Sequence, residues 1–452
     1  VNLSPREIAA ALGARILAEG DPEAPIRATI DSGASGPGDL FFGLRGANRD
    51  GGEFAPAALA AGAWGAVVSP AFRSSLLGDS PRSDDRSGWI FVVEDPLAGL
   101  QALARAWRQQ LGARVVGVTG SVGKTSVKDI SRALLPGRVH ANRENLNTEI
   151  GLPLTVLEAP DDSETLVLEM AMRGRGQIAE LGAIAEPEVA VITNVGPVHL
   201  ELLGSVEAIA AAKAEILAAL PQGGTAIVPA AAGELEAHLG AADRLLRFGP
   251  GGDVEAVESR VAEGVTEARV RTPAGAQDFH FPFAEAHNLT NALAAIAVGV
   301  ALGAPLAEMA DRAANIGFSS FRGERIELGD GIVLVNDCYN ANPVSMRAAL
   351  DHLASLGASR SVAVLGEMGE LGPGSPDFHR EVGEHARAAG LDLLIGVGLP
   401  ARDYGPDELV ADPGEAAELL AARLEAGDAV LVKGSRSAGL ESVAATLPEL
   451  IG

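Results

Sequence analysis

The chain has 452 residues, 47% of them apolar but only 4% aromatic, and its 35 basic and 60 acidic side chains leave a net charge of −25. That length exceeds one ordinary core and predicts about three domains, with interiors built from Ala, Val, Leu and Ile. So acidic a surface argues against nucleic acid or an anionic membrane as the main partner, and makes any local cluster of Lys and Arg informative.

The N-terminus, VNLSPREIAAALGARI, has charges at Arg6 and Glu7 and no long apolar run, so no signal peptide is expected. Charges or glycines interrupt every alanine-rich stretch before about 18 residues, so no membrane insertion is expected. The single cysteine, Cys338, excludes an internal disulfide and fits a reducing, cytoplasmic setting. Residues 1–95 read as a small α/β unit, with apolar runs at 40–44 and 64–68 around an alanine-rich helix. WIFVVEDPLAGLQALARAWRQQLG is a strand and an amphipathic helix leading into a second unit. From Arg114 short Val- and Ile-rich runs alternate with helices: RVVGVTG, TSVKDISRALL, TLVLEMA, IAELGAIA, VAVITNVG, VEAIAAAKAEILAAL, TAIVP. This pattern predicts a parallel sheet covered on both faces. Residues 252–283 alternate polar and apolar, which predicts an antiparallel insertion, and 287–303 predict a long buried helix. A third α/β unit starts near Gly317, with IVLVND, RSVAVLG, LLIGVG and AVLVKGS as strands.

VVGVTGSVGKTSVKDISRALL places a glycine turn between an apolar strand and a helix. The strict Walker spacing fails, because its first glycine would fall on Val118. The shorter form T-G-x-x-G-K-T fits at Thr119, Gly120, Gly123, Lys124 and Thr125. Glycines let backbone N–H groups turn toward phosphate oxygens, and the following helix offers its positive end. Lys124 would meet the β- and γ-phosphates, and Thr125 or Ser126 would reach Mg²⁺. Glu169 and His199 each follow an apolar strand, where side chains of a parallel sheet face the ligand crevice; imidazole is also a common metal ligand. Lys213 lies four residues after Ile209 and three before Ile216, on the apolar face of its helix. A lysine there is either snorkelling at a rim or a desolvated amine held near the metal, open to chemical modification.

The loop TGSVGKTS, then ENLNTEIGLPLTVLE, LEMAMRGRGQIAEL, NVGPVHLELLGSVEAIAAAKAEI, HNLTNALAA, NDCYNANPVSMRAAL, VAVLGEMGELG and LVKGSR occur in that order. Together they resemble the Mur ligases, ATP-dependent amide-forming enzymes of peptidoglycan precursor synthesis. The YNANPVSM and AVLGEMGELG stretches are most similar to the member that uses D-alanyl-D-alanine. The resemblance implies an N-terminal domain for the UDP end of the substrate (1–95), a central P-loop parallel-sheet ATPase domain (96–314) and a C-terminal Rossmann-like domain (315–452). It implies a cytoplasmic monomer that binds ATP, Mg²⁺, UDP-N-acetylmuramoyl-tripeptide and D-alanyl-D-alanine.

The resemblance also implies site residues. Thr119, Gly120, Ser121, Val122, Gly123, Lys124, Thr125 and Ser126 would hold phosphates. Asn288 and Asn291 would contact the adenine side, and Arg325, Asp337 and Tyr339 would reach the nucleotide from the C-terminal domain. Thr125 and Glu169 would serve one Mg²⁺, and His199 with a carbamylated Lys213 a second. Lys124, His199 and Lys213 would carry the catalysis. Asp31, Ser32 and Asp50 would lie near uridine, and Asn147, Thr148, Glu149, Arg173, Asn340 and Asn342 near substrate. Three positions depart from the family pattern: Gly33 stands where D-S-R is usual, Gly52 where D-G-H is usual, and Glu367 where G-D-M is commoner.

On electrostatic grounds Lys128, Arg173, Arg175, Arg322, Arg325, Lys433 and Arg436 are candidates to line a cleft for anions, and about half of them are expected to do so. Cys338 reads as a small buried residue rather than a nucleophile. A folylpolyglutamate synthase-like ligase would lack the N-terminal unit, and a guanine switch would need an N-K-x-D element that the chain does not have. A paralogue that binds ATP without ligating is weighed against by intact Lys124, Glu169, His199 and Lys213.

Overall fold

The computed structural model describes residues 2–77, 88–143, 145–319 and 321–451. Glu144, which opens the ENLNTEIG stretch, lies outside them. Three α/β layers follow one another along the chain.

The first sheet holds β1 (Arg15–Ala18), β2 (Arg27–Thr29), β3 (Asp39–Phe42), β4 (Gly65–Val68) and β5 (Trp89–Val92), in the order β1-β5-β4-β3-β2. Only β1 runs antiparallel to its neighbour. β3, β4 and β5 are buried along their whole length, as strands covered on both faces must be. The guanidinium of Arg27 grips the buried Asp39 carboxylate at 2.8 Å and 3.0 Å, fixing the start of β3.

The helix Pro96–Leu111 leads into the second sheet, with Asp95 accepting the Leu97 N–H as its N-cap. Its strands are β6 (Arg114–Thr119), β7 (Val139–Ala141), β8 (Thr165–Glu169), β9 (Val189–Ile192), β10 (Thr225–Pro229) and β11 (Arg244–Phe248). The order is β11-β10-β9-β6-β8-β7, all parallel. The alternation read from the sequence therefore forms a doubly covered parallel sheet. β6 is central, so the glycine turn after it opens in the middle of the carboxyl edge, where ligands of such sheets bind. The expected insertion is the antiparallel meander β12 (Glu255–Ala262), β13 (Val265–Thr272) and β14 (Gly275–Phe281). The helix Ala286–Leu302 follows and packs against the helix Lys124–Leu134.

The third sheet contains β15 (Glu324–Gly329), β16 (Ile332–Asn336), β17 (Arg360–Leu365), β18 (Leu393–Val397), β19 (Glu408–Val410) and β20 (Asp428–Lys433). Its order is β15-β16-β20-β17-β18-β19, parallel apart from the β15–β16 hairpin. Its core is split into apolar clusters on the two faces of the sheet. Among the described residues no helix is long and apolar enough to cross a membrane.

Candidate active site

The turn after β6 is built for close approach. Gly120 has φ 149, and a Cβ there would stand 1.8 Å from Thr193 Oγ1. Gly123 has φ 82, and a Cβ there would stand 2.4 Å from Asn291 Oδ1. Both positions exclude a side chain by space and by backbone. The N–H groups of Ser121 and Val122 point together at Asn194 Oδ1, at 3.1 Å and 2.9 Å. A pair of N–H groups converging on one oxygen is the arrangement an anion uses. Lys124 opens the helix Lys124–Leu134 and donates to the carbonyls of Gly120 at 2.8 Å and Ser121 at 3.4 Å. Desolvation lowers its pKa, the Glu169 carboxylate opposing that shift and the Arg322 charge adding to it.

Next to it in the first turn of the same helix, Thr125 Oγ1 donates to Glu169 Oε2 at 2.8 Å. The other carboxylate oxygen accepts from Asn147 Nδ2 at 2.9 Å. Glu169 ends β8, and its backbone N–H is held by Asn142 Oδ1 at 2.6 Å. Lys213 is 2% exposed, and among the described residues its amine has no hydrogen-bond or ion-pair partner. Burial drives its pKa well down, and the charge of Lys124 pushes the same way. An unpartnered buried amine is costly in its charged form, and the neutral form is the nucleophilic one. The helix expected around it ends early: α-helix spans Val206–Ala214 and a 3₁₀ turn continues over Glu215–Ala219. His199 has φ 54 and precedes the short helix Leu200–Leu203; its Nδ1 meets a carboxylate oxygen of Glu370. Burial lowers its pKa, against the pull of Glu370.

Above these groups a cleft of about 1020 Å³ separates the second and third layers. The central layer lines it with Ser121, Lys124, Thr125, Lys128, Arg132, Asn142, Arg143, Asn145, Arg173 and His199. The C-terminal layer contributes Arg322, Tyr339, Asn340, Asn342, Gly369, Glu370, Ser435 and Arg436. The Arg322 guanidinium lies 4.1 Å from the centre of the Tyr339 ring. Asn342 caps the helix Pro343–Ser355, accepting from the N–H groups of Val344 and Ser345. Among the cations named from sequence, Lys128, Arg173, Arg322 and Arg436 line the cleft, while Arg175, Arg325 and Lys433 do not. Arg325 sits on the edge strand β15, exposed and paired with Glu327 at 2.9 Å. Lys433 is buried and ties Asp337 Oδ2 at 2.6 Å and the Asn340 carbonyl at 2.9 Å, which holds the loop that carries Tyr339. Cys338 is buried beside it, and burial raises its thiol to about 11.

Asn288 is buried, bonds to Glu285 and receives Asn291 Nδ2 at 3.2 Å, so that pair packs on the phosphate loop. Thr119 is buried at the end of β6, and Ser126 is half-buried on the first turn of the helix. Thr148 is exposed and Glu149 half-buried beyond Asn147; neither lines the cleft. Asp31, Ser32 and Asp50 lie apart from it, just past the carboxyl ends of the adjacent strands β2 and β3. Asp31 Oδ1 accepts the Gly33 N–H at 2.8 Å, and Asp50 Oδ1 the Gly52 N–H at 3.0 Å. A Cβ at Gly52 would stand 2.2 Å from the Phe72 ring, so that ring fills the space a side chain at 52 would need.

Sequence reasoning passed over Asn194, Asn142 and Glu370. Asn142 and Asn194 each stand one or two residues past a parallel strand, the same position that drew attention to Glu169. Nothing local distinguishes Glu370.

Comparison with known proteins gives consistent results. Residues 118–299 match the Mur ligase middle domain, and residues 321–436 match the Mur ligase glutamate ligase domain. A curated relative from Synechocystis, UDP-N-acetylmuramoyl-tripeptide–D-alanyl-D-alanine ligase, is 38% identical over 429 residues, covering 91% of this chain and 89% of its own. The crystal structure of MurF from Acinetobacter baumannii superposes with a TM-score of 0.88 at 30% identity, covering 99% of this chain and 100% of the other. MurF from Thermotoga maritima in complex with ADP has a TM-score of 0.81 at 32% identity, covering 94% and 97%.

Proposed function

The chain belongs to the Mur ligase family, and from that membership we propose how its residues carry out the reaction. It is an ATP-dependent ligase that joins D-alanyl-D-alanine to UDP-N-acetylmuramoyl-tripeptide, giving ADP and phosphate. The observation that carries the mechanism is the meeting of the converging loop N–H groups, Lys124 and the Thr125–Glu169 pair at one sheet edge.

A carboxylate is a poor electrophile because its charge repels an incoming amine. Its oxygen attacks the γ-phosphorus of ATP, the bond to the β-phosphate oxygen breaks, and ADP leaves an acyl phosphate. The amine of D-alanyl-D-alanine then attacks the acyl carbon, and the tetrahedral intermediate expels phosphate. Two anions must first approach each other. In our reading Lys124 and the N–H groups of Ser121 and Val122 hold the β- and γ-phosphates and offset that repulsion. Arg322 and Tyr339 close on the nucleotide from the C-terminal layer, and Asn288 and Asn291 border its base. Arg173, Asn147, Asn340 and Asn342 face the reacting substrates. The UDP end occupies the strand ends around Asp31, Ser32 and Asp50, where the Phe72 ring replaces the side chain the family usually has at position 52.

The donor set fits Mg²⁺. A hydroxyl and a carboxylate stand 2.8 Å apart beside the phosphate loop, and the buried Lys213 amine, without a partner among the described residues, lies near Lys124. Among the described residues no three His, Cys, Asp or Glu side chains form a cage, which suits a cation that keeps waters and phosphate oxygens as ligands. Thr125 and Glu169 would hold one Mg²⁺, and His199 with carbamylated Lys213 a second. Bound there, Mg²⁺ would neutralise charge on the transferring phosphoryl group. Carbamylation turns the orphan amine into a carboxylate, which accounts for a lysine in so apolar a place. We further read the enzyme as a cytoplasmic monomer of three domains, 1–95, 96–314 and 315–452, since both ATP and a UDP-linked substrate are cytoplasmic metabolites.

The test supplies ATP, Mg²⁺, UDP-muramoyl-tripeptide and D-alanyl-D-alanine and measures phosphate release. Release that requires both acceptor substrates is expected. Equal release with D-alanyl-D-alanine replaced by single amino acids would contradict the assignment.

A further inference from the structure

Glu370 lies in the loop between β17 and the helix Ser375–Ala388, in the C-terminal layer, yet its side chain reaches the central one. One carboxylate oxygen meets His199 Nδ1, and the other stands 3.5 Å from Arg173 Nε. The Glu370 carbonyl also accepts the Glu201 N–H at 3.3 Å. A Cβ at Gly372 would be 3.2 Å from Glu201 Cα, so this loop rests directly on the turn that carries His199. Both partners are in the left-handed region, His199 at φ 54 and Glu370 at φ 60. For residues other than glycine that conformation costs roughly 1–3 kcal/mol and persists where surrounding contacts over-determine it, commonly at functional sites. A carboxylate on Nδ1 accepts its hydrogen and leaves the lone pair on Nε2, which fixes both the tautomer and the ring plane.

We infer that Glu370 is a positioning residue, delivered by the C-terminal layer to hold His199 in the tautomer that binds a divalent cation, so that cation binding and closure of that layer are linked. The inference rests on the proposed metal role of His199. Linkage is reciprocal: if closure improves cation affinity, the cation must favour closure by the same factor.

The experiment uses the full chain with Mn²⁺ as the probe and a non-hydrolysable ATP analogue. Bound Mn²⁺ is counted by electron paramagnetic resonance, and closure is followed by fluorescence transfer between dyes on the two layers. Wild type, E370A, E370D, E370Q and H199A are compared. H199A is expected to lose one class of bound Mn²⁺. E370A is expected to weaken that class about tenfold and to reduce Mn²⁺-driven closure. E370D, too short to reach Nδ1, is expected to behave like E370A and carries the test if E370A does not fold. E370Q, whose amide oxygen can accept the same bond, is expected to recover most of the affinity. If H199A binds Mn²⁺ as wild type does, the metal reading fails and this inference with it. If H199A loses the class while E370A and E370D keep both affinity and closure, the role of Glu370 alone is overturned.

Discussion

The two walls of the cleft are made differently. The central wall is one continuous piece of strand, turn and helix, 114–134, braced by the ends of neighbouring parallel strands. The opposite wall is assembled from separate loops around Arg322, Tyr339–Asn342, Gly369–Glu370 and Ser435–Arg436. The central wall holds the groups that face phosphate chemistry, on regular elements whose partners are fixed by the sheet. The C-terminal wall supplies groups whose position depends on how the two layers meet. Placement on regular elements suits charge stabilisation, where a small misplacement is expensive.

The largest expected effects come from breaking the central wall. Lys124→Ala and Lys213→Ala should each lower phosphate release about a thousandfold or more, with added bicarbonate giving no rescue of Lys213→Ala. Near-normal turnover in Lys213→Ala would remove that residue from the site. Asn142→Ala should show how far this wall depends on its bracing. It frees the backbone N–H of Glu169, bonded at 2.6 Å, and should cost about 1–3 kcal/mol of stability in denaturant titrations. An unchanged midpoint would show that water replaces the amide.

Changes on the C-terminal wall should be milder. Arg322→Ala loses a cation–π contact 4.1 Å from the Tyr339 ring and should raise KM for ATP by about 2- to 30-fold, with kcat changed less. A fall in kcat alone would place Arg322 in the chemical step instead. The smallest effect concerns Cys338, behind the same wall. Its thiol is raised from 9.0 to about 11 by burial, so alkylation of the native enzyme should be slow below pH 9 and accelerate only toward pH 11. Because the folded pKa is the higher one, its contribution to stability is present below about pH 9 and lost as pH rises through 11. Cys338→Ser should remove that alkaline slope, and rapid labelling at pH 8 would contradict the burial argument.

Most of the central wall was legible in the sequence, because its groups are local to one motif or stand at strand ends. Thr119 to Thr125 are consecutive, and Glu169 and His199 follow apolar strands. Lys213 was conspicuous as a charge on an apolar helix face. The wider cationic lining was only half legible: Arg322 and Arg436 face the cleft, while Arg325, three residues from Arg322, turns outward to Glu327 on an edge strand. Arg322 lies in the bend before β15 and Arg325 on the strand itself, and the sequence does not mark where the strand begins.

Alternating Val- and Ile-rich runs thus determined the α/β class, and one glycine loop a phosphate site, since each is a short-range pattern; the resemblance to the family rested on the ordered motifs from TGSVGKTS to LVKGSR. What only the tertiary structure decided is which distant groups meet: Asn194 on the loop N–H groups, Asn142 on Glu169, Phe72 over Gly52, and Glu370 on His199. Those contacts span up to 171 residues and depend on how whole layers pack, which no local periodicity encodes.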